Sequence, residues 1–213
     1  MGVLSIAATT ARAAPAPTLF RVTLTASAQH EWDHTAAPVT VGACERTERS
    51  EGIRRVAFST RRSGVLRVVN GRFRAGELKA VAGTVSLVGA NTTKEVCGET
   101  GKESIADCAP TSRSFRGAAI RVSGPSRGVL RASSVRNVRL RAAQCPREPA
   151  DVRRAPLGPL PIIFRVSLKS LANPRIVRIT LRASRSRTTR YPVPEAGTLR
   201  QRSFWTLSLV RLS

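Results

Sequence analysis

Aromatic residues, histidines and acids are all scarce in this chain of 213 residues. Phe, Trp and Tyr together make up 4% of it, so any core has to be assembled from Val, Leu, Ile and Ala. The only histidines are His30 and His34, which leaves a histidine-based triad or a multi-histidine metal centre almost nothing to draw on. Asp and Glu number 13 against 36 Lys and Arg. Most of the acids precede Pro110 and fall in polar stretches such as Glu45, Glu48 and Glu51, so the two converging carboxylates of a glycosidase do not stand out. No apolar run approaches the roughly 18 residues that a membrane-crossing helix needs. No segment carries an apolar period of 3.6, and no fixed-period repeat occurs. Gly101-Lys102 lacks the upstream glycine and the following Ser or Thr of a phosphate-binding loop.

Period-two alternation, by contrast, is abundant. Phe20, Val22, Leu24, Ala26 and Ala28 alternate with Arg21, Thr23, Thr25 and Ser27, which predicts a half-buried strand over Phe20–His34. Further strands are expected at Pro38–Cys44, Ile53–Thr60, Gly64–Val69, Leu78–Val88, Ser114–Val122 and Val129–Ala142, the last with a break near Val135-Arg136-Asn137. Glu45–Gly52, Arg61–Gly64 and Asn91–Asp107 read as polar connections, and Ser123–Gly128 as a turn. Pro146, Pro149, Pro156, Pro159 and Pro161 mark 146–161 as a connector, because proline cannot join a central ladder. Phe164, Val166 and Leu168 then alternate with Arg165 and Lys169. Val177, Ile179 and Leu181 alternate with Arg178 and Arg182, and Asn173-Pro174 lies between as a hairpin turn. Trp205, Leu207 and Leu209 complete a final strand. About nine or ten strands at this spacing predict an all-β antiparallel sandwich or barrel, one domain over 18–213.

Four cysteines, Cys44, Cys97, Cys108 and Cys145, fit an exported protein with two disulfides. Of the three connectivities, Cys97–Cys108 closing the polar loop with Cys44–Cys145 tying an early strand to a late one is the expected pair. None of the close C-x₂₋₄-C pairs of a structural zinc site is present. Residues 1–17 start with a short apolar stretch, Val3–Thr10, followed by the small-x-small triplet Ala11-Arg12-Ala13, which reads as a truncated signal peptide or else a flexible tail.

His30-Glu31-Trp32-Asp33-His34 gathers two imidazoles and two carboxylates, but alternation places His30, Trp32 and His34 on one face and the acids on the other. The imidazoles then stand about 13 Å apart at roughly 3.3 Å per residue, too far for one metal. Gly124-Pro125-Ser126-Arg127-Gly128 spells G-x-S-x-G, but a strand rather than a helix is expected after it and no histidine follows Ser126, so it reads as a turn. Asn91-Thr92-Thr93 is a sequon by spelling and predicts an exposed loop. No catalytic residue, metal ligand or cofactor is assigned.

What remains is charge. The formal net charge is +23, and it is unevenly placed. Residues 1–109 hold 14 Lys and Arg against 10 acids, a net of +4; residues 110–213 hold 22 against 3, a net of +19. Arg165, Lys169, Arg178 and Arg182 are expected on one outward face if their strands pair, with Arg185, Arg187 and Arg190 extending it into a loop. Arginine suits phosphate and carboxylate through its two-pronged donor geometry. The near absence of stacking aromatics around these residues argues against specific nucleic-acid recognition. For an exported protein the anions are then wall polymers, lipid headgroups or acidic polysaccharide. The competing reading is arginine set by codon usage, in a structural or protein-interaction domain whose charge is incidental, since only four of the basic residues are lysine. An enzyme with an unrecognised site is a third reading.

Trp32 closing the first strand, Cys44-Glu45-Arg46, Val56-Ala57-Phe58-Ser59, Gly83-Thr84-Val85, Cys97, Asp107-Cys108, Phe115-Arg116-Gly117, Cys145-Pro146 and Phe204-Trp205-Thr206-Leu207 together resemble a group of uncharacterised secreted actinobacterial proteins. The resemblance spans most of residues 18–213 and departs at Ala109, where a glycine often follows the third cysteine. It implies export and β structure, and it supplies no catalytic residues.

Overall fold

A computed structural model describes residues 17–74, 76–134, 148–155 and 157–212. The elements are β1 (Thr18–Thr35), β2 (Val39–Val41), β3 (Cys44–Thr60), β4 (Gly64–Val69), β5 (Arg72–Phe73), β6 (Gly76–Cys97), β7 (Thr100–Ser123), β8 (Val129–Ser134), α1 (Ala150–Arg154), β9 (Ile162–Arg165), α2 (Leu168–Ala172), β10 (Arg178–Arg190) and β11 (Ala196–Arg211). All strands join one antiparallel sheet, curled as a half-barrel, with the main path β10-β11-β1-β3-β6-β7-β8-β9. The tract 1–17 lies outside the described residues apart from Pro17, as do Val135–Ala142, the expected break within it, and Cys145.

The alternation legible in the sequence sets the two faces of this sheet. Phe20, Val22 and Leu24 of β1, Val56 and Phe58 of β3, and Trp205, Leu207 and Leu209 of β11 are all buried on the inner, concave side. Their intervening neighbours are polar or, at Ala57, small and point outward, so the register cannot slip by one residue without inverting both faces. Phe58 meets Trp205 edge-on at 5.0 Å between ring centres, an arrangement worth about 0.5–1.5 kcal/mol beyond its burial. Gly52 is directly opposite Trp32 in the β1–β3 register. A Cβ there would come within 2.5 Å of Trp32 Cζ2, so the absence of a side chain makes room for the indole.

Residues 148–155 and 157–161 cover the concave side. Val152 and Leu157 are buried, and Gly158, at φ +88°, runs so close to β1 and β11 that a Cβ would fall 2.9 Å from Ser203 and 3.1 Å from Ala28. The expected proline-rich connector is thus an inward-packed strap carrying α1. At its far end Arg185 Nη1 of β10 donates to the Pro161 carbonyl, just before β9, at 2.6 Å.

Three expectations are corrected. Asn91–Asp107 and Glu45–Gly52 are strands, not loops: β3, β6 and β7 run on past the core as long ladders, with Gly98 and Glu99 as the hairpin tip. The second correction concerns the cysteines: Cys97 bonds to Cys44, not to Cys108. The two are cross-strand partners in the β3–β6 register, with Cα atoms 4.2 Å apart. Because 91–107 is hairpin and not loop, Cys108 lies far along β7 from Cys97, opposite Gly89. Finally, Leu168–Ala172 is helix α2, so no hairpin joins the segments holding Lys169 and Arg178; β10 pairs with β11 and β9 with β8.

Candidate binding face

The few acids in the second half of the chain lie apart from the arginines of the outer face. The acids at positions 148, 151 and 195 are the only ones after Pro110, and two of them serve inward-facing partners. Arg54 shares the inner parity of Val56 and Phe58 and pairs with Glu148 through Nη2; side-chain exposures are 1% and 0%. Arg54 Nη1 also donates to the Val152 carbonyl at 3.2 Å, which ties β3 to α1. His34 Nε2 donates to Glu195 Oε2 at 3.1 Å and tilts against Tyr191, ring centres 4.3 Å apart. Burial, with the charges of Asp151 and Glu195, pushes the Tyr191 phenol up to about 12. Gln201 Nε2 donates to His30 Nδ1 at 3.1 Å, and Trp32 Nε1 donates to Ser50 Oγ at 3.1 Å.

His30, Trp32 and His34 therefore share the inner face, as alternation predicts, and each contacts a different partner. Among the described residues the one cluster with metal-like spacing is Cys44, Glu95 and Cys97, and its two sulfurs are joined to each other. Ser126 lies in the turn between β7 and β8, followed by strand, so the elbow geometry is not formed. The Arg54–Glu148 pair has a readable signal, because Arg54 falls on the apolar parity of its strand. Composition alone does not mark it, because arginine on a strand is ordinarily solvated.

The outer face is different. Following the register across β10, β11, β1, β3, β6 and β7 gives successive rows. One row is Arg182, Thr206, Thr25, Ser59, Ala82 and Arg116; the next is Ser184, Phe204, Ser27, Ala57, Thr84 and Ser114; the next is Ser186, Arg202, Gln29, Arg55, Ser86 and Ser112. Toward the other end of β1, Arg178 and Arg21 occupy one further row, separated by Val210. These rows carry arginine and hydroxyls and no acid. Among the described residues Arg21, Arg55, Arg116, Arg178, Arg182 and Arg202 form no ion pair. Acids begin only at the rows of Glu31 and of Asp33, Glu51 and Asp107. There Arg49 bonds Asp33 at 2.9 Å and Glu51 at 3.1 Å, and its guanidinium holds the Asp33 carboxyl below its ordinary value. The basic area spans about 25 Å each way, at roughly 3.3 Å per residue and 4.8 Å per strand.

Of the cations expected to share a face, Arg178 and Arg182 are on the outer face of β10. That strand runs on through Arg190, so Arg185 and Arg187 lie on strand, not loop; they follow Leu181 and Ala183 to the opposite parity, and Arg185 is engaged with Pro161. Arg165 is exposed at the end of β9 and Lys169 is exposed on α2. Sequence reasoning missed Arg21, Arg55, Arg116 and Arg202, because they come from strands distant in the chain and only the register brings them into neighbouring rows.

No protein-family model matches this chain and no curated protein matches it. Among solved structures, the crystal structure of Ail, the attachment invasion locus protein of Yersinia pestis, aligns at 4% identity over 89% of this chain and 98% of that one, with a TM-score of 0.15. A likeness that weak carries no argument.

Proposed function

We propose that this is an exported, non-catalytic binding module whose outer face attaches to anionic polymer of the cell envelope. The observation that carries the reading is the placement of charge: six arginines within five successive outer-face rows with no acid between them, while the scarce acids of the second half lie elsewhere. Arg55 and Arg202 are two strands apart, about 10 Å, close to the screening length of roughly 8 Å at physiological salt. Holding them together in water therefore costs little, and a polyanion spanning them gains from each. Phosphate and carboxylate both suit the guanidinium fork.

Disulfides fit the oxidising compartment this reading requires. With Cys44 and Cys97 bonded to each other, a second disulfide between Cys108 and Cys145 belongs to this reading. Peptide mapping of the unreduced protein tests that pairing.

The test of function is retention of the oxidised chain on isolated, de-proteinised envelope polymer through a salt series. The expected result is binding at physiological salt that is lost as salt rises, and lost at all salts when Arg55, Arg182 and Arg202 are changed to Glu. Retention that ignores both salt and these substitutions overturns the proposal.

A further inference from the structure

Phe204 is 61% exposed at the centre of the basic face, and it is the one aromatic side chain among the described residues that is exposed. A single surface apolar residue is ordinary by itself. Its surroundings are not. Phe204 and Ser27 form a ridge between two shallow basins of about 500 Å³ and 510 Å³. One basin is lined by Arg182 with Thr25, Ser184 and Thr206. Arg55 and Arg202, with Gln29 and Ser86, line the other. The first basin thus offers one guanidinium and the second two, each with several hydroxyl or amide groups, and the ring separates them.

Resting on the reading above, we infer that this ridge and its two basins form a subsite for a polysaccharide bearing carboxylates. The aromatic face accepts the C–H face of a sugar ring. The Ser, Thr and Gln side chains exchange hydrogen bonds with ring hydroxyls, and the arginines on either side take carboxylates two-pronged. The arginine rows on the two sides of the ring are four residues apart along the strands, about 13 Å, which places the anionic groups on separate sugars of an extended chain. A ring-free phosphate polymer would use the arginines and leave Phe204 without a role. A single-stranded nucleic acid needs successive aromatic platforms, and these rows hold one ring.

The test uses the full oxidised chain with two probes, polygalacturonate and linear polyphosphate, each titrated at one physiological salt concentration. Phe204→Ala is expected to weaken polygalacturonate binding about tenfold, the size of one lost ring contact, and to change polyphosphate binding less than about twofold. Phe204→Trp is expected to retain the polygalacturonate affinity. Near-UV circular dichroism verifies that both variants keep the native packing. An equal loss on both polymers, or no loss on either, overturns the subsite. Loss of all binding on reversing Arg55, Arg182 and Arg202, with Phe204→Ala silent, leaves the basic face standing and refutes the polysaccharide. A wild-type chain that binds neither probe refutes both.

Discussion

Replacing Arg54 by Met removes a guanidinium that is 1% exposed and leaves the Glu148 carboxylate, 0% exposed, without that partner on the concave side of the sheet. Breaking a buried ion pair from one side ordinarily costs about 3–5 kcal/mol, because the remaining charge stays desolvated. Arg54→Met also deletes the bond to the Val152 carbonyl, worth about 1 kcal/mol net, so its cost lies at the upper end. Glu148→Leu is expected at the lower end. The double variant replaces a charged pair with apolar groups of similar size, and such exchanges run from neutral to stabilising. Its cost should therefore fall well below the sum of the singles. For a chain of this size each kcal/mol moves the melting midpoint by about 2–4 °C, so the singles should drop it by roughly 6–20 °C. Urea unfolding of the oxidised protein, followed by near-UV dichroism and tryptophan fluorescence, gives the free energies and shows whether the two probes coincide. Single variants that each cost less than about 1 kcal/mol, or a double as costly as their sum, would refute the claim that this pair anchors the 148–161 strap.

Three further outcomes are expected. Tyr191 is the sole tyrosine, so tyrosinate absorbance reports it alone, and its midpoint should lie near 12. Because the phenol is raised in the folded state, it favours folding below the ordinary tyrosine value near 10, and that contribution is lost between about 10 and 12; a midpoint near 10 contradicts the packing against His34. Gly52→Ala should destabilise by about 1–3 kcal/mol and disturb the Trp32 signal in near-UV dichroism, since the new Cβ falls within 2.5 Å of the indole and 2.9 Å of the Val88 carbonyl oxygen; an unchanged spectrum and stability would mean the indole does not lie there. Cys44→Ser with Cys97→Ser opens a crosslink between residues 53 apart, worth about 4 kcal/mol by loop-closure entropy, as measured by urea unfolding; a loss under about 1 kcal/mol counts against that value.

The strands that cover the core were legible because one face of each is buried. Phe20 to Ala28 and Trp205 to Leu209 alternate cleanly, and their residues divide between the two sides as the pattern requires. The far reaches of β3, β6 and β7 were not legible. Both faces of Glu99–Asp107 meet solvent, so no apolar period is imposed on them, and only scattered β-branched residues such as Ile105 hint at a strand. Leu168 extends the alternation of Phe164 and Val166 in the sequence, but the backbone abandons it at α2. The candidate site was legible in composition but not in membership. Arginine excess pointed to the second half of the chain, while Arg21 and Arg55 of the first half reach the same face through pairing that a linear reading does not supply.

The most direct test separates a binding face from net charge. Arg55, Arg182 and Arg202 are changed to Glu in one variant; in another, the exposed Arg72, Arg153 and Arg154, which lie on β5 and α1, are changed to Glu. Both lower the net charge by the same amount. Retention on isolated envelope polymer at physiological salt is predicted to fail for the first variant and to persist for the second. Equal loss in both would mean that charge alone holds the protein there, and the outer face would have no special part in it.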